Sequence, residues 1–166
     1  MEKLKVLLAE DHAIIRDGLK QILADTDDLV VTGEAANGLE VMQKIRESSF
    51  DLLILDISMP GRSGLELIHL IKDEVPDLPI LVLSMHHEEQ YAVRALHAGA
   101  AGYVTKESDS DLLVHAIRRV ANGHVYVSEN VTEILARGRM QASTVLPHLL
   151  LSDSEIQVIY LLVQGN

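Results

Sequence analysis

Five residues of this 166-residue chain have side chains suited to phosphoryl chemistry: Glu10, Asp11, Asp56, Ser84 and Lys106. Glu10 and Asp11 close an apolar run that begins at Val6, Asp56 closes Leu52 to Leu55, Ser84 closes Ile80 to Leu83, and Lys106 follows Tyr103 and Val104. If each run is a strand, all five project at one edge of a sheet. Three carboxylates meeting at one point repel one another, and their convergence is costly unless a cation joins them. Oxygen donors, with no cysteine and no histidine pair at a ligating spacing, favour Mg2+. That ion keeps several waters and takes one or two carboxylates together with substrate phosphate. The backbone carbonyl of Ser58 is a further candidate oxygen ligand. With phosphate oxygens held by the metal and by the compact charge of Lys106, the Asp56 carboxylate can attack phosphorus in line and form an acyl phosphate. Taken singly, each of the five is more often a helix cap, a solvated turn or a surface charge. Coincidence at all five is much rarer.

The elements that must position them follow from periodicity. Short, mostly continuous apolar runs at Val6 to Ala9, Val30 to Val31, Leu52 to Leu55, Ile80 to Leu83 and Tyr103 to Val104 have the character of strands buried on both faces of a parallel sheet. Between them lie segments with helical spacing, such as Ile15, Leu19, Ile22 and Leu23, or Leu112, Leu113, Ala116, Ile117 and Val120. Ser63-Gly-Leu-Glu66 and Ser108-Asp-Ser-Asp111 match the capping-box pattern at helix starts. Strict alternation of strand and helix predicts a doubly wound α/β domain of five strands, with helices on both faces and a ligand site at the carboxyl ends of the strands.

After Asn122-Gly123 the pattern changes. One further helix is expected over Glu129 to Met140, then an irregular linker from Gln141 to Leu150 that contains Pro147. A third capping box, Ser152-Asp-Ser-Glu155, opens a helix with Ile156, Ile159, Leu162 and Val163 on its apolar side. The predicted division is therefore 1–123 for the α/β domain, 124–150 for helix and linker, and 151–166 for the start of another unit.

Composition bounds the rest. At this length, folding buries roughly 70% of the surface that an unfolded chain exposes, which suits one full domain plus a fragment. No cysteine is present, so there is neither a disulfide framework nor a thiolate metal site. The charged start at Met1 shows no signal peptide, and no apolar stretch approaches the 18 or so residues of a membrane span. A cytoplasmic protein without a membrane partner is expected. A net charge of −11 opposes binding of phosphate backbones by this chain on its own.

The residues Leu8-Ala-Glu-Asp-His12, Leu53-Ile-Leu-Asp-Ile-Ser-Met-Pro-Gly61, Val82-Leu-Ser84 and Gly99-Ala-Ala-Gly-Tyr-Val-Thr-Lys106 together resemble the receiver domains of two-component response regulators. The resemblance covers about Lys3 to Gly123. It implies a flavodoxin-like sheet of strand order 2-1-3-4-5 with a C-terminal helical extension. Asp56 then looks like the phosphoacceptor, Glu10 and Asp11 like the acidic pair for Mg2+, Lys106 like the phosphate-contacting lysine, Ser84 like the switch hydroxyl and Tyr103 like the switch aromatic. The Lys106-Glu107 pair and the tail from Leu151 to Gly165 are similar to NarL/LuxR-type regulators, in which the matching segment is the first helix of a helix-turn-helix output domain. The sequence stops at Asn166, before a recognition helix, so that output domain is expected to be incomplete. The partners implied are a sensor histidine kinase, a second copy of the chain on phosphorylation, and DNA only through a complete output domain. Kinase docking is expected around His12 to Arg16.

Two departures from the commonest receiver pattern stand out. Glu107 replaces the proline that usually follows the lysine, and the bulky Met85 follows Ser84, where its volume is expected to narrow access to Asp56. Two other functions remain open from the residues. A Mg2+-dependent phosphatase of the haloacid-dehalogenase kind also uses an aspartyl nucleophile, but wants a second aspartate where this chain has Ser58. An interaction module with a degenerate site fits poorly with a complete acidic set and its lysine. His86-His87 with Glu88-Glu89 reads as a solvated helix start, because adjacent positions on a helix diverge. No GxxxxGK loop is present, and Gly61-Arg-Ser-Gly64 lacks the spacing of a nucleophile elbow.

Overall fold

A computed structural model describes residues 3–59, 63–85, 89–128 and 131–137. Five β/α repeats follow one another: β1 (Leu4–Ala9), α1 (Ala13–Ala24), β2 (Leu29–Ala35), α2 (Gly38–Glu47), β3 (Leu52–Asp56), α3 (Gly64–Glu74), β4 (Ile80–Ser84), α4 (Glu89–Ala98), β5 (Gly102–Thr105) and α5 (Ser110–Ala121). The strands form one parallel sheet in the order β2-β1-β3-β4-β5. The predicted doubly wound, flavodoxin-like arrangement is therefore the one observed.

Successive side chains of a strand point to opposite faces, so a strand covered on both faces must be apolar at every position. β1 shows the division: Leu7 and Ala9 join one core cluster and Val6 and Leu8 the other. The first cluster is closed by α2, α3 and α4 through Val41, Ile45, Leu67, Ile68 and Ala95. The second is closed by α1 and α5 through Leu19, Leu23, Leu113, Ile117 and Val120, at the spacing of an amphipathic helix.

Local chemistry sets the helix starts. Ser63 Oγ accepts from the amides of Leu65 and Glu66, as the sequence pattern predicts. At α5 the capping residue is Asp109 rather than Ser108: its carboxylate accepts from the Leu112 amide at 2.8 Å. A carboxylate is the stronger acceptor and its charge opposes the positive helix end, while the Ser108 hydroxyl sits 3.3 Å from that of Thr105. A cap that the sequence reading missed opens α2: Asn37 Oδ1 accepts from the Glu40 amide, and Glu40 Oε1 accepts in return from the Ala36 amide at 2.7 Å.

Two further features extend the sheet beyond the predicted runs. β2 continues through Thr32, Gly33 and Glu34 as a half-exposed strand, with a register irregularity opposite Val6 and Leu7. At the other edge, the Tyr103 amide donates to the Tyr126 carbonyl and the Tyr126 amide to the Ala101 carbonyl, both at 3.0 Å. Gly102 fits this edge because a Cβ there would come within 2.8 Å of Leu81 and 2.9 Å of Val120. Residues 131–137 are helical, inside the span expected from Glu129 to Met140, and Val131 is 4% exposed within the first core cluster. The expected linker from Gln141 to Leu150 and the helix opening at Ser152 lie outside the described residues. Among the described residues no helix is long and apolar enough to cross a membrane.

Candidate functional site

Backbone hydrogen bonds latch the carboxyl end of β1 to that of β2, and those of β3 and β5 to β4. The Glu10 amide donates to the Ala35 carbonyl at 2.9 Å, the Ile57 amide to that of Leu83 at 3.2 Å, and the Lys106 amide to that of Ser84 at 2.8 Å. These bonds fix the backbone from which the polar side chains depart. Gly64, just after the loop that carries Ser58, packs directly on Ile57, where a Cβ would collide with the Ile57 side chain and carbonyl. The loop's approach to α3 therefore requires glycine.

Glu10 and Asp56 are each 1% exposed, and the Lys106 side chain is 8% exposed. The Lys106 ammonium lies 2.9 Å from Glu10 Oε1 and 3.1 Å from Asp56 Oδ2. By distance both are ion pairs. By direction neither oxygen accepts a well-aligned hydrogen bond, and the same holds for Asp11 Oδ1. The opposite oxygen of Asp56, Oδ1, is held by the Ser58 amide at 3.0 Å and the Ser58 hydroxyl at 2.8 Å. Burial pushes the Asp56 carboxyl up, but the two Ser58 donors and the Lys106 ammonium outweigh it and hold the group below the usual aspartate value. For Lys106, burial opposes the charged form, and the contacts with Glu10 and Asp56 more than offset it, so its pKa is raised. The site therefore holds a carboxylate anion and an ammonium cation together, away from bulk water.

Ligand atoms of Glu10, Asp11, His12 and Asp56 all lie within 4.8 Å of one another. Buried carboxylate oxygens that accept no hydrogen bond, converging at that separation, are the donor set a hard divalent cation needs. The residues present thus fit Mg2+.

The structure brings Glu10, Asp11, Asp56, Ser58 and Lys106 together at this edge of the sheet. Ser84 is fully buried at the end of β4, paired in register with Thr105, and Tyr103 is buried in the first core cluster. Met85 is 55% exposed, so much of its side chain faces solvent. His86, His87 and Glu88 lie outside the described residues, as do Pro60, Gly61 and Arg62.

Three contacts were not foreseen from the residues. Ser58 grips Asp56 through its side chain and amide, where the sequence reading assigns it a carbonyl ligand. His12 places its backbone amide 3.1 Å and its Nδ1 3.0 Å from Glu10 Oε2. Arg16 donates from Nη1 to the Glu10 carbonyl at 2.6 Å and from Nε to Glu34 Oε1 at 3.1 Å, bracing the end of β1 against β2. The sequence signal for the last two was position alone: the residue after the acidic pair, and the arginine one helical turn beyond it.

Comparison with known proteins agrees with this geometry. Residues 6–118 match the family model for the response regulator receiver domain. The oxygen regulatory protein NreC of Staphylococcus carnosus (strain TM300) is 36% identical over 169 residues, covering 98% of this chain and 78% of that protein. A LuxR-family two-component response regulator from Aurantimonas sp. SI85-9A1 superposes with a TM-score of 0.76 at 32% identity, over 84% of this chain and 99% of that one. The isolated receiver domain of RcsB from Salmonella enterica serovar Typhimurium, solved with the phosphomimetic BeF3−, superposes with a TM-score of 0.72 at 27% identity, over 80% of this chain and 98% of that one. An acidic, lysine-bearing pocket at the carboxyl edge of a 2-1-3-4-5 sheet, matched over most of the chain in sequence and in structure, leads to one conclusion: this chain belongs to the response regulators, and its receiver domain is of the NarL/LuxR kind.

Proposed function

We propose that this chain is a phosphorylation-controlled switch that accepts a phosphoryl group on Asp56 from a sensor histidine kinase. The observation that carries the reading is a nearly fully buried aspartate, held in its anionic form, with an ammonium group 3.1 Å from an oxygen that accepts no hydrogen bond. Attack on phosphorus requires the anion. Ser58 restrains Oδ1, which leaves Oδ2 as the nucleophile. As the bond from Oδ2 to phosphorus forms, the phosphorus–nitrogen bond of the donor imidazole breaks, and the leaving nitrogen keeps the electron pair. Lys106 neutralises charge on the transferring oxygens. Glu10, Asp11, Asp56 and the Ser58 carbonyl would hold Mg2+, which when bound orients the phosphate oxygens and offsets their charge. That a neighbour in structure, the isolated receiver domain of RcsB, was solved in the presence of the phosphomimetic BeF3− supports a phosphoacceptor reading here.

The output follows from population shift. The acyl phosphate favours a setting in which the Ser84 hydroxyl turns towards the new charge and Tyr103 is held in the inward position that it already occupies in this structure, altering the face built from α4, β5 and α5. In the proposed sequence of events that face pairs with a second copy of the chain, and transcription is controlled in the cytoplasm through a helix-turn-helix output domain to which residues 151–166 contribute the first helix. With a net charge of −11, DNA contact is assigned to the complete output domain rather than to these residues.

The test is incubation with acetyl phosphate and Mg2+, followed by intact mass of wild type and Asp56→Asn. One phosphoryl group on wild type alone supports the switch. Adduct on both proteins, or on neither, contradicts it, and rapid multiple-turnover release of phosphate favours a phosphatase instead.

A further inference from the structure

His12 has an imidazole whose role is not explained by packing or capping. It occupies the N-cap position of α1, yet its side chain makes no capping hydrogen bond, and histidine is not among the residues favoured there. The side chain is 64% exposed, so apolar packing does not fix its rotamer. Its Nδ1 nevertheless points into the acidic pocket, 3.0 Å from Glu10 Oε2 and 3.3 Å from Asp11 Oδ1. Glu10 Oε2 also receives the His12 backbone amide, so it keeps a donor when the ring turns away. Independently, three carboxylates converge here on a single ammonium, Lys106, which lies beside Glu10 Oε1 and Asp56 Oδ2; Asp11 Oδ1 is a further buried oxygen that accepts no hydrogen bond, so the pocket keeps an excess of negative charge that a divalent cation would offset.

We propose that His12 supplies an imidazole nitrogen to the divalent cation held by Glu10, Asp11 and Asp56, and that this shifts the pocket's preference from Mg2+ towards first-row transition ions such as Mn2+ and Co2+. The proposal rests on the reading of the pocket as a cation site and adds a ligand to it. Mg2+ prefers oxygen and releases its waters reluctantly, whereas imidazole suits the transition ions increasingly along the series from Mn2+ to Cu2+. The nitrogen belongs to the same cluster as the carboxylate oxygens, all within 4.8 Å of one another, so the ring need only exchange its contact with Glu10 for one with the ion.

The experiment titrates the full chain with MnCl2 at a fixed pH of about 8, because metal and protons compete for the same ligand atoms. Free Mn2+ is followed by electron paramagnetic resonance, Mg2+ serves as competitor, and pulsed resonance on the bound ion looks for nitrogen coupling. His12→Ala and His12→Asn are compared with wild type; asparagine is a strong N-cap, so the second variant keeps the start of α1 while removing the nitrogen ligand. The expected result is one bound Mn2+ with nitrogen coupling in wild type, no coupling in either variant, and a fall of about tenfold or more in the Mn2+ over Mg2+ preference of both. Mn2+ binding without nitrogen coupling, and with an unchanged preference in the variants, overturns the role of His12 and leaves the cation site standing. Absence of divalent binding by wild type overturns both.

Discussion

Replacing Lys106 by methionine keeps the length and most of the volume of the side chain but leaves Glu10 and Asp56 buried without their ammonium. At an effective dielectric constant of about 20, charges 2.9 and 3.1 Å apart attract by roughly 5 to 6 kcal/mol per pair before desolvation is counted. Net losses on removing one partner of a buried pair are smaller, about 3–5 kcal/mol, and dominated by the carboxylates left behind. Lys106→Met is therefore expected to lower stability by about 3 kcal/mol or more near neutral pH, or roughly 6–12 °C in Tm for a domain of this size. The pH dependence identifies the cause. In wild type the depressed pKa of Asp56 contributes stability that is present above the unfolded aspartate value and is lost as pH falls through the folded one. The raised pKa of Lys106 contributes stability present below the unfolded lysine value and lost as pH rises through the folded one. In the variant the Lys106 contribution to Asp56 is gone, burial pushes that carboxyl up, and protonation relieves the repulsion. The deficit should be largest from about pH 6 to 8 and should narrow towards pH 4. Denaturant unfolding of both proteins across that range, without divalent ions, reads it directly. A deficit independent of pH, or below about 1 kcal/mol at neutrality, refutes this electrostatic account of the pocket.

Other changes have equally definite outcomes. Gly64→Ala drives a Cβ into Ile57 and should cost about 1–3 kcal/mol in denaturant unfolding, together with slower phosphoryl uptake because Ser58 lies on the displaced loop; wild-type values for both would show that the loop has room. Val131→Ala removes two buried methyl groups from the first core cluster and should cost about 2 kcal/mol, whereas no loss would mean that residues 131–137 add nothing to the receiver fold. Met85→Ala should take up phosphate from acetyl phosphate faster than wild type if the exposed Met85 side chain restricts entry, and equal rates end that idea. Arg118→Ala breaks a two-point ion pair with Asp28 between half-exposed side chains, and solvent screening should keep its cost within about 1 kcal/mol by thermal unfolding.

The strand-and-helix plan was legible because a doubly covered parallel sheet imposes a crude pattern on sequence: short apolar runs such as Leu52 to Leu55, each ended by a polar residue. That pattern also brought out Glu10, Asp56, Ser84 and Lys106, since strand ends in such a sheet share one edge. What was not legible depends on contacts between distant parts of the chain or on competition between neighbours. Thr32-Gly-Glu34 has no apolar signature, and it is a strand because β1 supplies its hydrogen bonds. Tyr126 pairs with β5 only because α5 returns the chain to that edge. Ser108 and Asp109 both satisfy cap preferences, and geometry alone decided for Asp109. The position of Ser58 two residues after Asp56 suggests a carbonyl ligand, while its hydroxyl and amide restrain Asp56. His12 looked like a surface residue beside an acidic pair, and periodicity gives no hint of the direction of its ring.

The central claim is that Asp56 carries the phosphoryl group, and trapping the acyl phosphate tests it most directly. After exposure to acetyl phosphate and Mg2+, borohydride reduction converts a phosphorylated aspartate to homoserine, and peptide mass spectrometry then finds its position. Homoserine at position 56 alone, absent when Mg2+ is chelated, is the result predicted. Homoserine at position 11, or none at any position in folded protein, contradicts the account.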